Sequence, residues 1–217
     1  MNKIIKNFNN LIQKTIFKVK NKTNNKFNIS GLNKVIITLI GLLFLYIFYL
    51  LIPSIYSKNW VEEKIKKNLL SEFNIDLRST EDISYRILPS PHFLIKDTNI
   101  LSNEPNNKKI IGEVRNLKVF INQGNFFDKE KITLKNIIIK NANFSLSGSD
   151  LKRFNSSINK KLSDKKIQFN KGNIFFKDNI NELFAIVKIN GANLFFDDEE
   201  LHNKFNLKGS IFSIPFT

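Results

Sequence analysis

The feature that most constrains this chain is an apolar run from Val35 to Ile52, which reads VIITLIGLLFLYIFYLLI and carries no charge. A helix of that length rises about 27 Å, close to the roughly 30 Å hydrocarbon core of a bilayer. Pro53 stops the run, and lysines flank it at positions 34 and 58. The run therefore predicts a transmembrane helix over residues 35–56.

Two other structures produce long apolar runs, and neither matches as well. A buried core helix is rarely apolar on every side. A cleaved signal peptide has a shorter apolar region followed by small residues at its cleavage site, whereas Ser54-Ile-Tyr-Ser-Lys58 follows here. Aromatic residues of the kind that prefer the membrane interface stand near the end of the run, at Tyr46, Tyr49, Tyr56 and Trp60.

Lysine asymmetry predicts the orientation of this helix. Residues 1–34 hold 8 lysines and no acidic residue, whereas lysines and glutamates are mixed after the run. The positive-inside rule then leaves residues 1–34 in the cytoplasm as a basic segment. Residues 4–19 place apolar side chains on one helical stripe between lysines, which suits an anionic leaflet, although a disordered basic tail fits them equally.

The net charge and the missing cysteines exclude several classes of function. The formal charge is +15, but more than half of it lies in residues 1–34. Nucleic-acid binding would need basic residues interleaved with stacking aromatics on one face, whereas the aromatics here share apolar strand positions and the densest lysines precede the predicted span. We predict no nucleic-acid partner. The absence of cysteine excludes disulfides and thiolate metal sites.

Beyond the apolar run the hydrophobic period changes from helical to strand-like. In residues 59–73 the apolar positions Val61, Ile65, Leu69 and Phe73 share one face of a short amphipathic helix. From residue 75 onward apolar and polar residues alternate, as half-buried strands do. A second amphipathic helix interrupts them at Ser149 to Lys166, with Ser149 or Asp150 as its cap. The predicted fold is mainly β: a curved antiparallel sheet forming a groove, with one N-terminal transmembrane helix and two short amphipathic helices.

Two recurring local patterns predict how the strands connect. In YRILPSPHFLIKD the residues Pro89 and Pro91 predict a rigid corner between two strands, because proline cannot donate to a sheet ladder. A small residue and Asn precede an apolar residue four times, which we interpret as successive turns of a meander. These sites are Gly124-Asn-Phe126, Ala142-Asn-Phe144, Gly172-Asn-Ile174 and Ala192-Asn-Leu194. Many strands are apolar on both alternate phases, so one face needs cover or contacts something other than water.

Residues for catalysis are scarce. His92 and His202 are the only histidines, and the motifs of zinc hydrolases, serine hydrolases and phosphate-binding loops are missing. His92 follows Pro91, which predicts a partly exposed turn histidine. The run Asp197-Asp-Glu-Glu200 lacks the spacing of a calcium loop and predicts a solvated turn. We therefore predict a protein that is not an enzyme, with no catalytic, cofactor-binding or metal-binding residues.

Several stretches resemble the amino-terminal region of the AsmA family of bacterial envelope proteins. After the span and the short helix comes ILPSPHFLIKDTNI, from Ile87 to Ile100; then GEVRNLKVFI, from Gly112 to Ile121; then KITLKNIIIK, from Lys131 to Lys140. The similarity covers roughly Val35 to Leu146, and more loosely the later unit Gly172 to Phe176.

The resemblance implies an inner-membrane protein, with the cytoplasmic segment 1–34, the helix 35–56 and a periplasmic β domain over residues 57–217. It implies that phospholipid acyl chains are the partners, bound or channelled toward the outer membrane in support of outer-membrane biogenesis. Family members are usually longer, so we expect a truncated copy, a fragment, or a unit completed by an envelope protein along its open edge. The alternative is a scaffold for outer-membrane proteins that recruits its partner through that edge.

Overall fold

The computed structural model describes residues 31–78, 82–102, 108–124, 126–152, 161–178 and 180–217. The predicted basic segment therefore lies almost entirely outside the described residues. The helices are α1 (Gly31–Leu51), a 3-10 turn (Ile52–Ile55), α2 (Lys58–Phe73) and a second 3-10 turn (Lys129–Lys131). The strands are β1 (Asp76–Leu77), β2 (Ile83–Arg86), β3 (His92–Leu101), β4 (Ile110–Ile121), β5 (Leu134–Ser147), β6 (Lys166–Lys177), β7 (Leu183–Asp197), β8 (His202–Ile211) and β9 (Ile214–Phe216).

One helix in the described part of the chain, Asn33–Ile55, is long and apolar enough to cross a membrane. This finding agrees with the predicted membrane anchor. The chain separates into two compact units, residues 1–47 and 48–217. The second unit includes the last turn of α1 because Tyr49 and Leu50 pack with the sheet domain.

Helix α2 has the predicted amphipathic face and clear signals at both ends. The Ser57 side chain accepts a hydrogen bond from the backbone N–H of Trp60, as an N-cap does. At the other end Asn74 adopts the left-handed conformation with φ 56°, which terminates the helix. Val61, Ile65 and Leu69 are buried against the sheet, as their spacing predicts.

The strands form one open, curved sheet, and most neighbouring pairs are antiparallel. The order is β1-β3-β4-β5-β6-β7-β8-β9, with β2 beside β1 on the same edge of β3. The predicted mainly-β class is confirmed. The simple meander is wrong at one place, because β5 and β6 run parallel. Parallel neighbours need a crossover connection, and the second predicted amphipathic helix lies in that connection.

The second predicted helix is confirmed only at its start. Residues 148–152 are helical, and residues 153–160 lie outside the described residues. The predicted end at Lys166 is wrong, because residues 161–165 are not helical and Lys166 begins β6. Leu162 and Ser163 instead form hydrogen bonds with residues of β8 and β7: the Leu162 N–H donates to the Asn203 side chain, and the Phe196 N–H donates to the Ser163 carbonyl.

The cap of this helix differs from the prediction: Ser147 precedes the helix, and its backbone N–H and hydroxyl both donate to the Asp150 carboxylate at 2.8 and 2.7 Å. Asp150 thus reaches back to the cap residue as in a capping box, and does not cap the helix itself.

A polar crease crosses the sheet from β3 to β7. Each of these strands has two adjacent polar or small residues at the same transverse level: Lys96-Asp97, Arg115-Asn116, Lys140-Asn141, Asn170-Lys171 and Asn190-Gly191. Asp97, Asn141 and Lys171 have positive φ, between 47° and 63°. The crease shifts the alternation of side chains by one residue, so apolar residues stay on the same face along the whole strand.

The crease explains why the predicted Asn turns are wrong. Ala142-Asn-Phe144 lies inside β5, and the corresponding units around Asn173 and Asn193 lie inside β6 and β7. In each of these strands the unit comes directly after the two crease residues, and Ala142 and Gly172 are direct neighbours across the parallel pair β5–β6. In the fourth unit Phe126 lies in the β4–β5 loop, as predicted. The four units share a pattern, but in β5, β6 and β7 the pattern marks the crease in mid-strand and not a turn.

The proline corner is confirmed. Pro89 and Pro91 lie between β2 and β3, which pair as neighbouring antiparallel strands. The Leu88–Pro89 peptide bond is cis. Pro91 contributes its carbonyl oxygen, which accepts a hydrogen bond from the Ile121 N–H at 3.2 Å. The corner therefore joins the two strands without costing the sheet a ladder hydrogen bond.

Candidate functional site

The most extensive surface feature is the apolar inner face, which we define as the face of the sheet that packs on α2. Cross-strand neighbours on this face form transverse rows on both sides of the crease. The rows from β5 to β8 are Ile137-Ile167-Leu194-Phe205, Ile139-Phe169-Ala192-Leu207, Ala142-Gly172-Ile189-Gly209 and Phe144-Ile174-Val187-Ile211. Because each row contains only apolar residues or glycine, the inner face stays apolar across four strands.

Helix α2 covers only part of the inner face. The buried cluster around α2 includes residues of β1 to β5 and ends at Ile167 of β6, with Phe169 and Leu194 packed at its margin. In the described part of the chain, no helix packs on the rows beyond that margin. Phe205 is 49% exposed and Ile214 is 66% exposed. The inner face thus continues past the cover of α2 as an apolar groove that is open along β8 and β9. The β7 residues of the groove, Val187, Ile189 and Ala192, are buried.

The opposite, outer face is polar at the crease. Asn99, Glu113, Asn143, Asn173 and Lys188 are neighbours in one transverse row on this face. The Asn173 amide donates to the Asn143 side-chain oxygen at 3.0 Å. This row and the crease residues line a shallow groove of about 720 Å³. The two faces therefore differ sharply, since an apolar ligand fits the inner face and not this outer groove.

His92 is not the partly exposed turn histidine that its sequence context predicts. It is the first residue of β3 and only 1% exposed. Its Nδ1 lies 2.7 Å from the Ser90 carbonyl oxygen, and its ring stacks on Phe120 at 4.8 Å. Burial lowers the pKa of His92, and the nearby charges of Lys118 and Arg86 add to this effect, while the Ser90 hydrogen bond opposes it. The geometry gives His92 a structural role at the proline corner.

The acidic run after β7 forms a turn, as predicted. The Asp197 carboxylate accepts hydrogen bonds from the backbone N–H groups of Glu199 and Glu200, and the Lys204 ammonium contacts Asp197 and Glu200 at 2.7 and 2.8 Å. The hydrogen bond from Lys204 lowers the pKa of Asp197 to about 2. Exposed His202 begins β8 beside this turn, with Nδ1 3.1 Å from the Glu200 carbonyl oxygen. Among the described residues, no cluster of His, Asp and Glu could hold a metal ion.

No protein-family model matches the chain, and no curated protein matches it. The resemblance to the AsmA family therefore remains a prediction, based on the apolar patterns and the two prolines. What the geometry adds is the open inner groove. It is the feature of the described residues with the clearest chemical preference.

The polar doublets are the signal that the sequence interpretation missed. In β3, β5, β6 and β7 they share a pattern: apolar, any residue, apolar, two polar or small residues, a small residue, Asn, apolar. The four stretches are FLIKDTNI, IIIKNANF, IQFNKGNI and VKINGANL, which start at residues 93, 137, 167 and 187. Each stretch contains two alternating runs of opposite phase, which is the pattern expected of a strand whose side-chain alternation shifts by one residue at its centre.

Proposed function

We propose that this chain is a membrane-anchored protein that binds phospholipid acyl chains in the open groove on the inner face of its sheet. The observation that carries the proposal is the set of apolar rows that continue from β5 to β8 beyond the cover of α2. Water is a poor solvent for such a surface, and contiguous exposed apolar patches on proteins usually mark a binding site.

The dimensions of the groove support an acyl chain as its ligand. Neighbouring strands are about 4.8 Å apart, so the steps from β5 to β9 span about 19 Å. Half of the bilayer's hydrocarbon core is about 15 Å, which is the depth that the acyl chains of one leaflet fill. Transfer of each CH₂ group from water to an apolar surface contributes about 0.8 kcal/mol, so ten methylenes contribute about 8 kcal/mol before the cost of ordering the lipid.

The cellular setting follows from the resemblance and from the lysine asymmetry. The chain is an AsmA-like protein of the bacterial inner membrane, with residues 1–34 in the cytoplasm and the sheet domain in the periplasm. There it takes part in moving phospholipid toward the outer membrane and so supports outer-membrane biogenesis. The protein is not an enzyme, and lipid binding does not require a covalent step.

A photoactivatable phospholipid with a diazirine in its acyl chain tests the proposal. The full-length protein is irradiated in membranes that contain this lipid, and crosslinked peptides are mapped by mass spectrometry. We expect crosslinks in peptides from β6 to β9 in addition to those in the membrane helix. Crosslinks confined to residues 33–55 would show only the lipid that surrounds the helix and would refute binding in the groove.

A matched pair of variants separates the two faces of the sheet. Phe205 on the inner face is 49% exposed, and Ile186, whose neighbours Ala185 and Val187 point inward, is 43% exposed on the outer face. Phe205→Asp places a charge in the groove and should sharply reduce crosslinking to β6–β9. Ile186→Asp makes the same kind of change on the outer face and should leave the crosslinking unchanged.

The open edge of the sheet supports the second candidate function, a scaffold for outer-membrane proteins. β9 pairs with β8 only at Gly209–Ile211, so residues 202–208 have no strand neighbour on that side in the described part of the chain. Lys204 and Lys208 lie on this edge, and lysines often protect edges from unwanted pairing. A photo-crosslinker at residue 206 that captures an envelope protein, in cells where no lipid crosslinks to β6–β9, would favour the scaffold.

A further inference from the structure

Three apolar side chains near one end of the sheet are unusually exposed. Ile55, Phe127 and Leu88 are 82%, 81% and 80% exposed, the highest values for large apolar side chains among the described residues. Ile55 ends the apolar span, Leu88 belongs to the proline corner, and Phe127 lies in the loop between β4 and β5. The hydrogen bond from Ile121 to the Pro91 carbonyl places the corner beside the start of that loop.

The β4–β5 loop is attached to Tyr49, a residue within the apolar span. The Tyr49 hydroxyl donates to the Gln123 carbonyl at 2.7 Å and accepts from the Phe126 N–H at 3.2 Å. The Phe126 ring is fully buried and stacks on Tyr49 with centroids 5.1 Å apart. Phe127 lies 5.6 Å from the same tyrosine ring and remains exposed. The loop is thus held at a defined height along the span.

That height corresponds to the edge of the bilayer. Tyr49 lies two residues before α1 ends at Leu51, a rise of about 3 Å, and the 3-10 turn Ile52–Ile55 follows directly. Each polar interfacial layer of a bilayer is about 5 to 8 Å thick. A span that crosses the membrane therefore places Tyr49, and the Phe127 side chain beside it, near the boundary between headgroups and hydrocarbon.

The next residues along the loop carry groups that prefer the headgroup layer. The Trp60 indole N–H donates to the Glu130 carboxylate at 3.2 Å, and the Lys129 ammonium lies 5.5 Å from the Trp60 ring. Lys64 donates to the Glu130 carbonyl at 2.9 Å. Tryptophan and lysine are the usual anchors at membrane interfaces. Exposed apolar Phe127 is thus followed along the loop by Lys129 and Glu130, which contact Trp60, and this matches the change from hydrocarbon to headgroups in a leaflet.

We infer that the loop tip at Phe127, together with Leu88 and Ile55, inserts into the bilayer leaflet around the end of the membrane helix and seats the sheet domain on the membrane. The occupant of this surface is lipid, because the loop is hydrogen-bonded to Tyr49, which belongs to the apolar span itself. This inference rests on the membrane anchor in the proposed function. It adds a second contact of the sheet domain with the membrane.

The chain has no cysteine, so single cysteines labelled with the environment-sensitive fluorophore NBD can report on depth. The full chain carrying Phe127→Cys is labelled and reconstituted in vesicles of phosphatidylethanolamine and phosphatidylglycerol, with and without lipids that carry a nitroxide quencher near the headgroup. Phe212→Cys is the control outside the membrane, because Phe212 is 74% exposed in the β8–β9 turn. Phe44→Cys is the control within the span.

We expect NBD at position 127 to show blue-shifted emission and several-fold stronger quenching than NBD at position 212. Labels at Leu88→Cys and Ile55→Cys should behave like the label at position 127. Quenching at position 127 as weak as at position 212, with position 44 inside the bilayer, would overturn the inference and leave the proposed lipid groove intact. A label at position 44 that no lipid-borne quencher reaches, whether near the headgroup or deep in the acyl chains, would instead overturn the anchor on which both proposals depend.

Discussion

The crease makes one strong prediction at Gly172, which lies directly after the positive-φ residue Lys171 in β6. A Cβ atom added at Gly172 would lie 2.3 Å from the backbone oxygen of Ala142 on the parallel neighbour β5. Ordinary contacts of Cβ atoms begin at 3.4 Å, so the two strands would have to separate by about 1 Å. Gly172→Ala should therefore strain the pairing of β5 and β6.

The neighbouring crease glycine provides the matched control. A Cβ at Gly191 in β7 would lie 3.8 Å from the Phe169 oxygen, which is ordinary contact. Neither glycine has positive φ, so alanine is conformationally acceptable at both positions. Overpacking typically costs about 1 to 3 kcal/mol. Where space allows, alanine in a strand is more stable than glycine by about 0.5 to 1 kcal/mol.

Thermal unfolding of the full-length protein in detergent measures the difference, with Trp60 fluorescence and far-ultraviolet circular dichroism as probes. For a domain of this size each kcal/mol shifts Tm by about 2 to 4 °C. We expect Gly172→Ala to lower Tm by roughly 2 to 12 °C, and Gly191→Ala to leave it unchanged or raise it. Equal Tm values for the two variants would refute the close approach of the strands at the crease.

Three further changes test how the sheet domain is held together. Tyr85→Phe removes the 2.6 Å hydrogen bond to the Leu50 carbonyl at the end of α1, and the unsatisfied carbonyl should cost about 1 to 3 kcal/mol in urea unfolding. Burial lowers the pKa of His92 in the folded protein. Below the ordinary histidine pKa of about 6.5, the unfolded chain therefore binds a proton that the folded protein does not, and the free energy of unfolding should fall as the pH drops. His92→Phe should flatten that part of a Tm-against-pH curve, and an unchanged slope would contradict the assignment. Lys165, which immediately precedes β6, forms an ion pair with Glu72 of α2; Lys165→Glu should weaken this contact, and Glu72→Lys added to it should restore stability, measured as a double-mutant cycle.

Much of the fold could be predicted from the local periodicity of apolar residues. The apolar run predicted the long apolar helix α1, and the spacing of Val61, Ile65 and Leu69 predicted the buried face of α2. Alternation predicted the strands, and the two prolines predicted the corner between β2 and β3. These features depend on neighbours a few residues apart, so a single sequence contains the information that they need.

The two main misassignments, the Asn units and His92, depend on partners far away in the chain. The Asn units were interpreted as turns because small residues and Asn favour turns, yet Ala142 and Gly172 align in mid-sheet across β5 and β6. His92 was predicted to be partly exposed because it follows Pro91, yet Phe120 of the next strand covers its ring. A turn propensity expresses only the local preference, and packing against other strands overrides it.

Periodicity within the sequence indicated an apolar helix long enough to span a membrane, an amphipathic helix, and strands with an apolar phase. The pairing of strands in the folded domain shows the rest: the phase shifts of five strands align in one crease, β5 and β6 run parallel, and α2 does not cover the rows over β6 to β9. These features depend on strand register, which one strand's sequence does not contain. Hydrophobic alternation states which residues of one strand share a face, but the pairing of strands decides which rows they form and what covers them.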